Sequence, residues 1–375
     1  MLNITSGGMS GGYRTYLSRL VPLLAAHPQI EALLVGMPET MDVAEWREGA
    51  SSVQWLSLRC GLAARGREAG REARTAIDRF APDVIFIPTS RHFALDGIPV
   101  VSMVRNMIPL TPREATSGME RVRNWARLHQ MKQAVQRSTR VIAVSQFVRD
   151  SLVTEVGIPK DRVGVVYHGI DSSSMLPLRK PSLFQGNSPA CFVFTAGEMY
   201  RYRALEDLIH AWTRLRDLGS LPTLVMAGKE GQGMSRYCAG LRRLVSGLGL
   251  DSHIRFAGAL TRSEMAWCYR HCSMFIMTSR VEACPNTALE AIAHGCIVVA
   301  ADNPPLPEMF ETAAFYYPPG DYQALAVMTQ KILQMPDSQK AECQERALHR
   351  ARQFSWPRCV DRTVKELTLA TERPS

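Results

Sequence analysis

The sequence predicts an α/β protein made of two doubly wound parallel-sheet domains, and three observations predict it. Short apolar runs without the in–out alternation of a half-exposed sheet recur along the chain, as buried parallel strands do. Helical stretches separate these runs almost one for one, which is βα alternation. The series halts in a Pro-, Ser- and Asn-rich stretch, Ser172–Pro189, and then restarts, so a linker joins two such domains.

Taken in order, a very short apolar start leads into the glycine cluster Ser6–Tyr13 and a helix over Tyr16–Leu24. A polar helix ends before Pro82, and Val84–Ile87 reads as the next strand. Val100–Val104, entered through Gly97 and Pro99, is another. Val141–Val144 follows, then a short helix from Gln146 and the strand Val163–Tyr167. Past the linker, Cys191–Thr195 is a strand and Leu205–Leu218 an amphipathic helix. Leu224–Ala227 is a strand ending at Gly228, and a helix runs on to Gly247. Ile254–Phe256 leads to Gly258, Ser263–His271 is helical, and Met274–Met277 is a strand. The helix Asn286–His294, stopped by Gly295, precedes the strand Ile297–Ala300. The expected boundaries are 1–172, 173–355 and a C-terminal helix, 356–375, packing back toward the first domain. Ligands in such domains sit at the carboxyl ends of the strands, and two such crests would face each other across a cleft.

Composition narrows the class. With 46% apolar and 21% charged residues, disorder is excluded. No apolar run approaches the roughly 18 residues that cross a bilayer. Met1–Gly12 lacks the basic and apolar regions of a secretory signal, so the expectation is a soluble, cytoplasmic chain. Nine cysteines, an odd number, argue for reduced thiols. Cys268, His271 and Cys272 lie close in sequence, but no second cluster completes a tetrahedral zinc site, and no metal is expected.

The formal charge of +9 permits nucleic acid, an anionic membrane face or a phosphorylated substrate as partner. Between Arg105 and Arg140 eight basic residues stand against two acidic ones. On a helix, Val122, Trp125, Leu128, Met131 and Val135 form one apolar stripe, with Arg123, Arg127 and Arg137 opposite. Such a face is either simply solvated or lies on anionic lipid, at the inner face of a membrane, or a lipid-phosphate acceptor. No recognition motif for nucleic acid accompanies the charge.

The most informative stretch is Thr278-Ser-Arg-Val-Glu282-Ala-Cys-Pro-Asn286-Thr-Ala-Leu-Glu290-Ala-Ile-Ala-His-Gly295. A strand ends at Thr278, a loop carries Glu282, and a helix begins near Asn286. The free N–H groups and dipole of that first turn suit a diphosphate. Glu290, one turn in, is placed to accept hydrogen bonds from ribose hydroxyls. Plain capping is the alternative, with Asn286 as N-cap and Thr287–Glu290 as capping box.

This stretch resembles the Glu-x7-Glu motif of the large family of retaining nucleotide-sugar glycosyltransferases with the GT-B fold (glycosyltransferase family 4, glycosyl transferases group 1). Further segments resemble that family in order and spacing. Val141-Ile-Ala-Val-Ser145-Gln-Phe looks like its strand followed by serine. Val165-Val-Tyr-His168-Gly169-Ile170-Asp171 is similar to the signature closing its first domain, with His168 where Asn is common. Phe256-Ala-Gly258 looks like the strand whose following backbone, through Leu260, contacts the base, and Pro307-Glu308 matches a late pair.

The resemblance implies a fold of two Rossmann-like domains facing across a cleft and a glycosyltransferase that uses a nucleotide sugar without metal or other cofactor. It implies that Glu290 binds ribose, Glu282 faces donor-sugar hydroxyls, and the backbone of Asn286, Thr287 and Ala288 holds the diphosphate. Gly197-Glu-Met-Tyr-Arg201-Tyr-Arg203 aligns with the family's phosphate-gripping loop, with Arg203 at the usual Lys position and Glu198 at the usual Arg position; Arg201 would substitute, its guanidinium gripping phosphate bidentately. Glu282, Arg203 and Arg201 are the implied catalytic group. The cluster ending in Gly11-Gly12 corresponds to a loop closing over donor phosphates, or is a flexible start. Arg105 and Asn106 stand where the family often has His-Asp, so no catalytic His is carried over; they address donor sugar or acceptor, or form an ordinary strand-end loop. The acceptor would be a glycan or lipid-linked hydroxyl on the first domain, in bacterial cell-surface glycan or glycolipid synthesis. Two other readings keep the fold: a nucleotide-sugar epimerase, and a non-catalytic binding module suggested by Glu198 and the missing His.

Overall fold

The computed structural model describes residues 1–4, 11–38, 46, 52–58, 67–91, 97–110, 118–171, 177–185, 191–219 and 221–372. Residues 5–10 of the glycine-rich start and much of the expected linker (172–176 and 186–190) lie outside them. Two compact units are present, one comprising 1–169 with 356–375 and the other 170–355.

In the first unit the elements are β1 (Leu2–Asn3), α1 (Gly11–Ala25), β2 (Leu33–Pro38), β3 (Val53–Leu58), α2 (Arg67–Phe80), β4 (Ile85–Ile87), β5 (Val100–Val104), α3 (Gly118–Arg137), β6 (Arg140–Ala143), α4 (Gln146–Ser151) and β7 (Val163–Val165). The strands form a parallel sheet in the order β3-β2-β1-β4-β5-β6-β7. β5, Val-Val-Ser-Met-Val, is buried at every position, as a strand covered on both faces must be. Its one polar side chain, Ser102, accepts a 2.9 Å hydrogen bond from Ser138 Oγ, which removes the cost of burying it unpaired. Ser145 begins α4 as its N-cap, accepting from Val148 N at 3.2 Å.

The second unit holds β8 (Phe192–Ala196), α5 (Leu205–Asp217), β9 (Thr223–Ala227), α6 (Ser235–Gly247), β10 (Ile254–Gly258), α7 (Arg262–His271), β11 (Met274–Met277), α8 (Asn286–Ala293), β12 (Val298–Ala301), α9 (Leu306–Phe310), β13 (Ala314–Tyr317), α10 (Tyr322–Leu333) and α11 (Asp337–Ala351). Its parallel sheet runs β10-β9-β8-β11-β12-β13. Strand order reverses between β8 and β11, and such a switch point is where doubly wound sheets place ligands. The last helix, α12 (Trp356–Thr371), belongs to the first unit. Glu366 on it accepts from Arg140 Nε at 2.8 Å and pairs with Nη2 at 2.8 Å.

Three strands went unread in the sequence. β2 ends in Gly-Met-Pro, β3 alternates Val-Gln-Trp-Leu-Ser-Leu as an edge strand does, and β13, also an edge strand, is reached through the five-residue α9 and one 3₁₀ turn. The apolar stripe of α3 also needs correction. Met131 and Val135 are buried, whereas Val122 and Trp125 face solvent, and Asn124 takes a buried position instead. Successive steps of three residues drift by about 60° around a helix of 3.6 residues per turn, so the stripe winds from the core out to solvent.

The eight cysteines among the described residues are free thiols. Cys272 Sγ approaches Cys296 Sγ at 3.6 Å, while His271 Nδ1 meets the Trp267 carbonyl at 2.8 Å. No helix among the described residues is long and apolar enough to cross a membrane.

Candidate active site

The second unit brings two loops together at its switch point. The loop after β8 carries Gly197–Arg203, and the loop after β11 carries Thr278–Asn286. Two bonds tie them: Thr278 Oγ1 donates to Arg203 O at 2.5 Å, and Arg280 N donates to Tyr202 O at 2.7 Å. Arg280 also reaches both carboxylate oxygens of Asp207, each at 3.4 Å, and Asn303 Nδ2 donates to Arg280 O at 2.6 Å. These links hold Arg203 beside Glu282.

Arg203 Nη1 lies 4.0 Å from Glu282 Oε1, and both side chains are largely buried. Nη1 also approaches the Ala196 carbonyl at 3.3 Å. The guanidinium packs directly over Gly197, whose φ of +137° is open to glycine and where a Cβ would overlap the Arg203 side chain. Burial pushes the Glu282 carboxyl above its ordinary range, opposed by Arg203 and by a hydrogen bond from Ser279. Arg203 Nε and Glu282 Oε1 are buried and lack hydrogen-bond partners among the described residues. Orphaned buried polar atoms are rare in folded proteins, and here a donor and an acceptor stand in one place.

Glu282 leads into α8. The N-cap position is Pro285, with no side-chain cap, so the expectation that Asn286 caps this helix fails; its Oδ1 accepts from Cys284 Sγ at 3.3 Å instead. Within the first turn, Asn286 N is bonded to Cys284 O, and Ala288 N to Pro285 O, each at 3.0 Å. Thr287 N is left without an acceptor among the described residues. The capping-box reading of Thr287–Glu290 fails as well, because Glu290 turns to another helix. Its Oε2 accepts from Tyr269 Oη at 3.1 Å. Burial lifts the Glu290 carboxyl to about 7, against the lowering effects of Tyr269 and Arg262, with Asp171 adding to the rise. Arg262 is paired with Asp171.

The remaining sequence-predicted residues take these places. Arg201 is exposed and lays its guanidinium over the Tyr237 ring at 4.9 Å, a partner on α6 and not on the Glu282 loop. Glu198 pairs with Lys229 at 3.1 Å, which offsets the charge that makes it anomalous beside a phosphate. Gly258 adopts φ +66° and accepts from Gly228 N at 2.7 Å; Leu260 is half-buried. In the first unit Gly11 and Gly12 open α1. Arg105 lies over the rings of Tyr13 and Tyr16, at 4.4 and 5.2 Å. Asn106 Oδ1 accepts from Ile108 N at 2.9 Å, closing its own turn. His168 is buried with its ring 4.8 Å from that of Tyr16. Sequence reasoning missed Tyr269, Arg280 and Asn303, whose contacts join segments far apart in the chain and leave no local signal.

Two parallel doubly wound sheets, each with its own switch point, are the architecture of the GT-B fold class. Two family models match, Glycosyltransferase Family 4 over residues 10–174 and Glycosyl transferases group 1 over residues 190–335, and the chain belongs to this family. Among curated relatives, the serotype-specific mannosyltransferase WbdA of Escherichia coli is 25% identical over 321 residues, 79% of this chain and 38% of that protein. A D-inositol 3-phosphate glycosyltransferase of Streptomyces bingchenggensis is 30% identical over 193 residues, 48% of this chain and 42% of that one. The chain thus spans less than half the length of these relatives. Among solved structures, Anabaena Alr3699/HepE in complex with UDP and glucose superposes with a TM-score of 0.73 at 20% identity, covering 98% of both chains. WaaG, a glycosyltransferase involved in lipopolysaccharide biosynthesis, gives 0.71 at 14% identity, covering 98% of this chain and 99% of that one.

Proposed function

We propose that this protein is a retaining glycosyltransferase that moves a sugar from a nucleotide-diphosphate donor to a hydroxyl acceptor in bacterial cell-surface glycan or glycolipid synthesis. One observation carries the reading: the buried Arg203–Glu282 pair presents an unsatisfied donor and an unsatisfied acceptor beside a helix start that no side chain caps. A nucleoside diphosphate sugar supplies what both lack. Its diphosphate sits on the first turn of α8, at Asn286, Thr287 and Ala288, where Thr287 N–H is available and the helix dipole favours negative charge. Arg203 contacts the phosphate. Glu290 accepts from the ribose hydroxyls, and Glu282 accepts from hydroxyls of the sugar. The likeness to a solved UDP- and glucose-bound protein and to named mannosyltransferases supports a nucleotide-sugar donor.

In the reaction the acceptor oxygen bonds to the anomeric carbon as the bond from that carbon to the phosphate oxygen breaks. The acceptor's proton passes to an oxygen of the departing diphosphate, on the same face of the sugar, so the configuration is retained. Arg203 and the start of α8 are preorganised positive groups where negative charge develops on the leaving diphosphate. The first unit binds the acceptor, for which Arg105 and Asn106 are candidates, and its basic surface suits a lipid-linked substrate at an anionic membrane.

Steady-state kinetics of two variants test the site. Glu290→Ala is expected to raise donor KM about tenfold, roughly the loss of a charge-assisted hydrogen bond. Glu282→Ala is expected to lower kcat by on the order of 10²-fold with less change in KM, because its contact strengthens as the sugar approaches the transition state. Unchanged turnover in both variants would refute the assignment.

A further inference from the structure

Two cysteines of the second unit meet beside the residue that holds Glu290. Cys272 is the C-cap of α7 and stands two residues before β11, and Cys296 stands two residues before β12. β11 and β12 are parallel neighbours, with Phe275 opposite Val298, so the two cysteines lead into adjacent strands. Adjacent strands lie about 4.8 Å apart, inside the roughly 4.4–6.8 Å between α-carbons that a disulfide spans. The sulfurs are 3.6 Å apart, with Cys272 half-buried and Cys296 buried. Both thiols also face one carbonyl. Cys296 Sγ donates to Tyr269 O at 2.7 Å, and Cys272 Sγ donates to the same oxygen at 3.6 Å. The amides that could have closed this last turn of α7 bond elsewhere, Cys272 N to Cys268 O at 2.9 Å and Ser273 N to Phe192 O at 2.8 Å. Tyr269 thus takes both thiols on its carbonyl, while its hydroxyl donates to Glu290 at 3.1 Å.

We infer that Cys272 and Cys296 are a site of reversible disulfide formation, and that closing the disulfide loosens Tyr269 from Glu290 and weakens nucleotide binding. The oxidant is a low-molecular-weight disulfide. The Cys272 thiolate, the more accessible of the two, attacks one sulfur of that disulfide; its S–S bond breaks, one half leaves as a thiol after taking up a proton, and the other half stays on Cys272. The Cys296 thiolate then attacks Cys272 Sγ, the protein disulfide forms, and the second half leaves as a thiol, so one disulfide and two thiols are exchanged for one disulfide and two thiols. Burial and the neighbouring Cys296 thiol hold the Cys272 thiol well above its ordinary range, so exchange is slow at neutral pH and quickens as pH rises. The disulfide carries no S–H, and the Tyr269 carbonyl loses both donors at once. With Tyr269 displaced, Glu290 loses its fixed orientation and a donor that favours its charged form. The effect on nucleotide rests on the donor site proposed above; formation of the bond does not.

The test is incubation of the full chain with oxidised glutathione, followed by peptide mapping without reductant. A Cys272–Cys296 cross-link is expected, forming about tenfold faster for each pH unit above neutrality, reversed by dithiothreitol and absent from Cys272→Ser. Calorimetry with UDP and with GDP then compares the two states. Oxidation is expected to raise the Kd of the tighter-binding nucleotide about fivefold, roughly the weight of one hydrogen bond, and to leave Cys272→Ser unchanged. Serine keeps a donor at that position, so the variant should hold the wild-type melting temperature, and Cys296→Ser repeats the comparison from the other side. Modification confined to the exposed Cys191, or pairing of Cys272 with Cys191 or Cys268, would overturn the inference. Equal nucleotide affinity in the oxidised and reduced chains would overturn it too. If neither nucleotide binds the reduced chain, the proposed function fails, and titration of the Glu290 carboxyl by NMR, assigned with Glu290→Gln, decides this inference separately: its pKa should rise on oxidation, and an unmoved pKa would sink it.

Discussion

Gly197 and Arg203 show how much of the candidate site is decided by single side chains. The backbone at Gly197 sits at φ +137°, and the guanidinium of Arg203 occupies the space a Cβ would take. Gly197→Ala therefore strains the backbone, at about 1–3 kcal/mol, and pushes Arg203 away from Glu282. The expected outcome is a lower melting temperature together with a donor KM raised as far as in Arg203→Ala. A stability loss with KM unchanged would mean that Arg203 does not touch the donor. Glu282, Glu290 and Arg203 were legible as candidate site residues because motif spacing marks them. Tyr269 was not, because its bond to Glu290 joins two helices across 21 positions.

At the scale of elements, α7 and α8 together set the charge state of Glu290. Its carboxyl is lifted from the ordinary 4.5 to about 7 because burial disfavours the charged form more than Tyr269 and Arg262 favour it. The folded chain thus holds a proton between those values that the unfolded chain has shed. Glu290's contribution to stability is full below about 4.5 and is lost as pH rises to about 7. Ribose hydroxyls donating to the carboxylate favour its charged form, so nucleotide binding should release a proton. Calorimetric affinity for a nucleoside diphosphate is expected to rise as pH passes from 6 to 8, about the pKa of 7, and the slope should vanish in Glu290→Gln. A pH-independent affinity in the wild type would place the ribose elsewhere. Elements of this kind were mostly readable: buried strands announce themselves as unbroken apolar runs, as at Val100–Val104 and Met274–Met277. β3 and β13 escaped because an edge strand need not be apolar throughout.

For the whole molecule, the first unit is closed by a helix 226 residues further along the chain. Glu366 on α12 accepts from Arg140 at the start of β6, and Gly164 leaves space for that carboxylate where a Cβ would collide. Trp356 packs against Gly169 in the same way and lies 6.0 Å from the Tyr16 ring. Glu366→Ala leaves Arg140 largely buried without its partner, at a cost of about 2–3 kcal/mol. Urea unfolding followed by hydrogen exchange should show protection falling in residues 1–169 and 356–372 while 170–355 keeps its own. An equal fall in both units would mean that they unfold as one.

By itself the sequence determined the α/β class, the restart of the strand series near the linker, and the Glu282–Glu290 spacing on which the proposed donor site rests. These follow from local periodicity and from motif order, which a chain carries along its length. Tertiary structure alone decided which face of α3 meets water, that Glu290 bonds to Tyr269 and forms no capping box, and that Arg203 stands over Gly197 while Arg201 leans on Tyr237. Those outcomes depend on which distant segments share a place, and burial, orphaned polar atoms and shifted pKa values exist only once the segments have met.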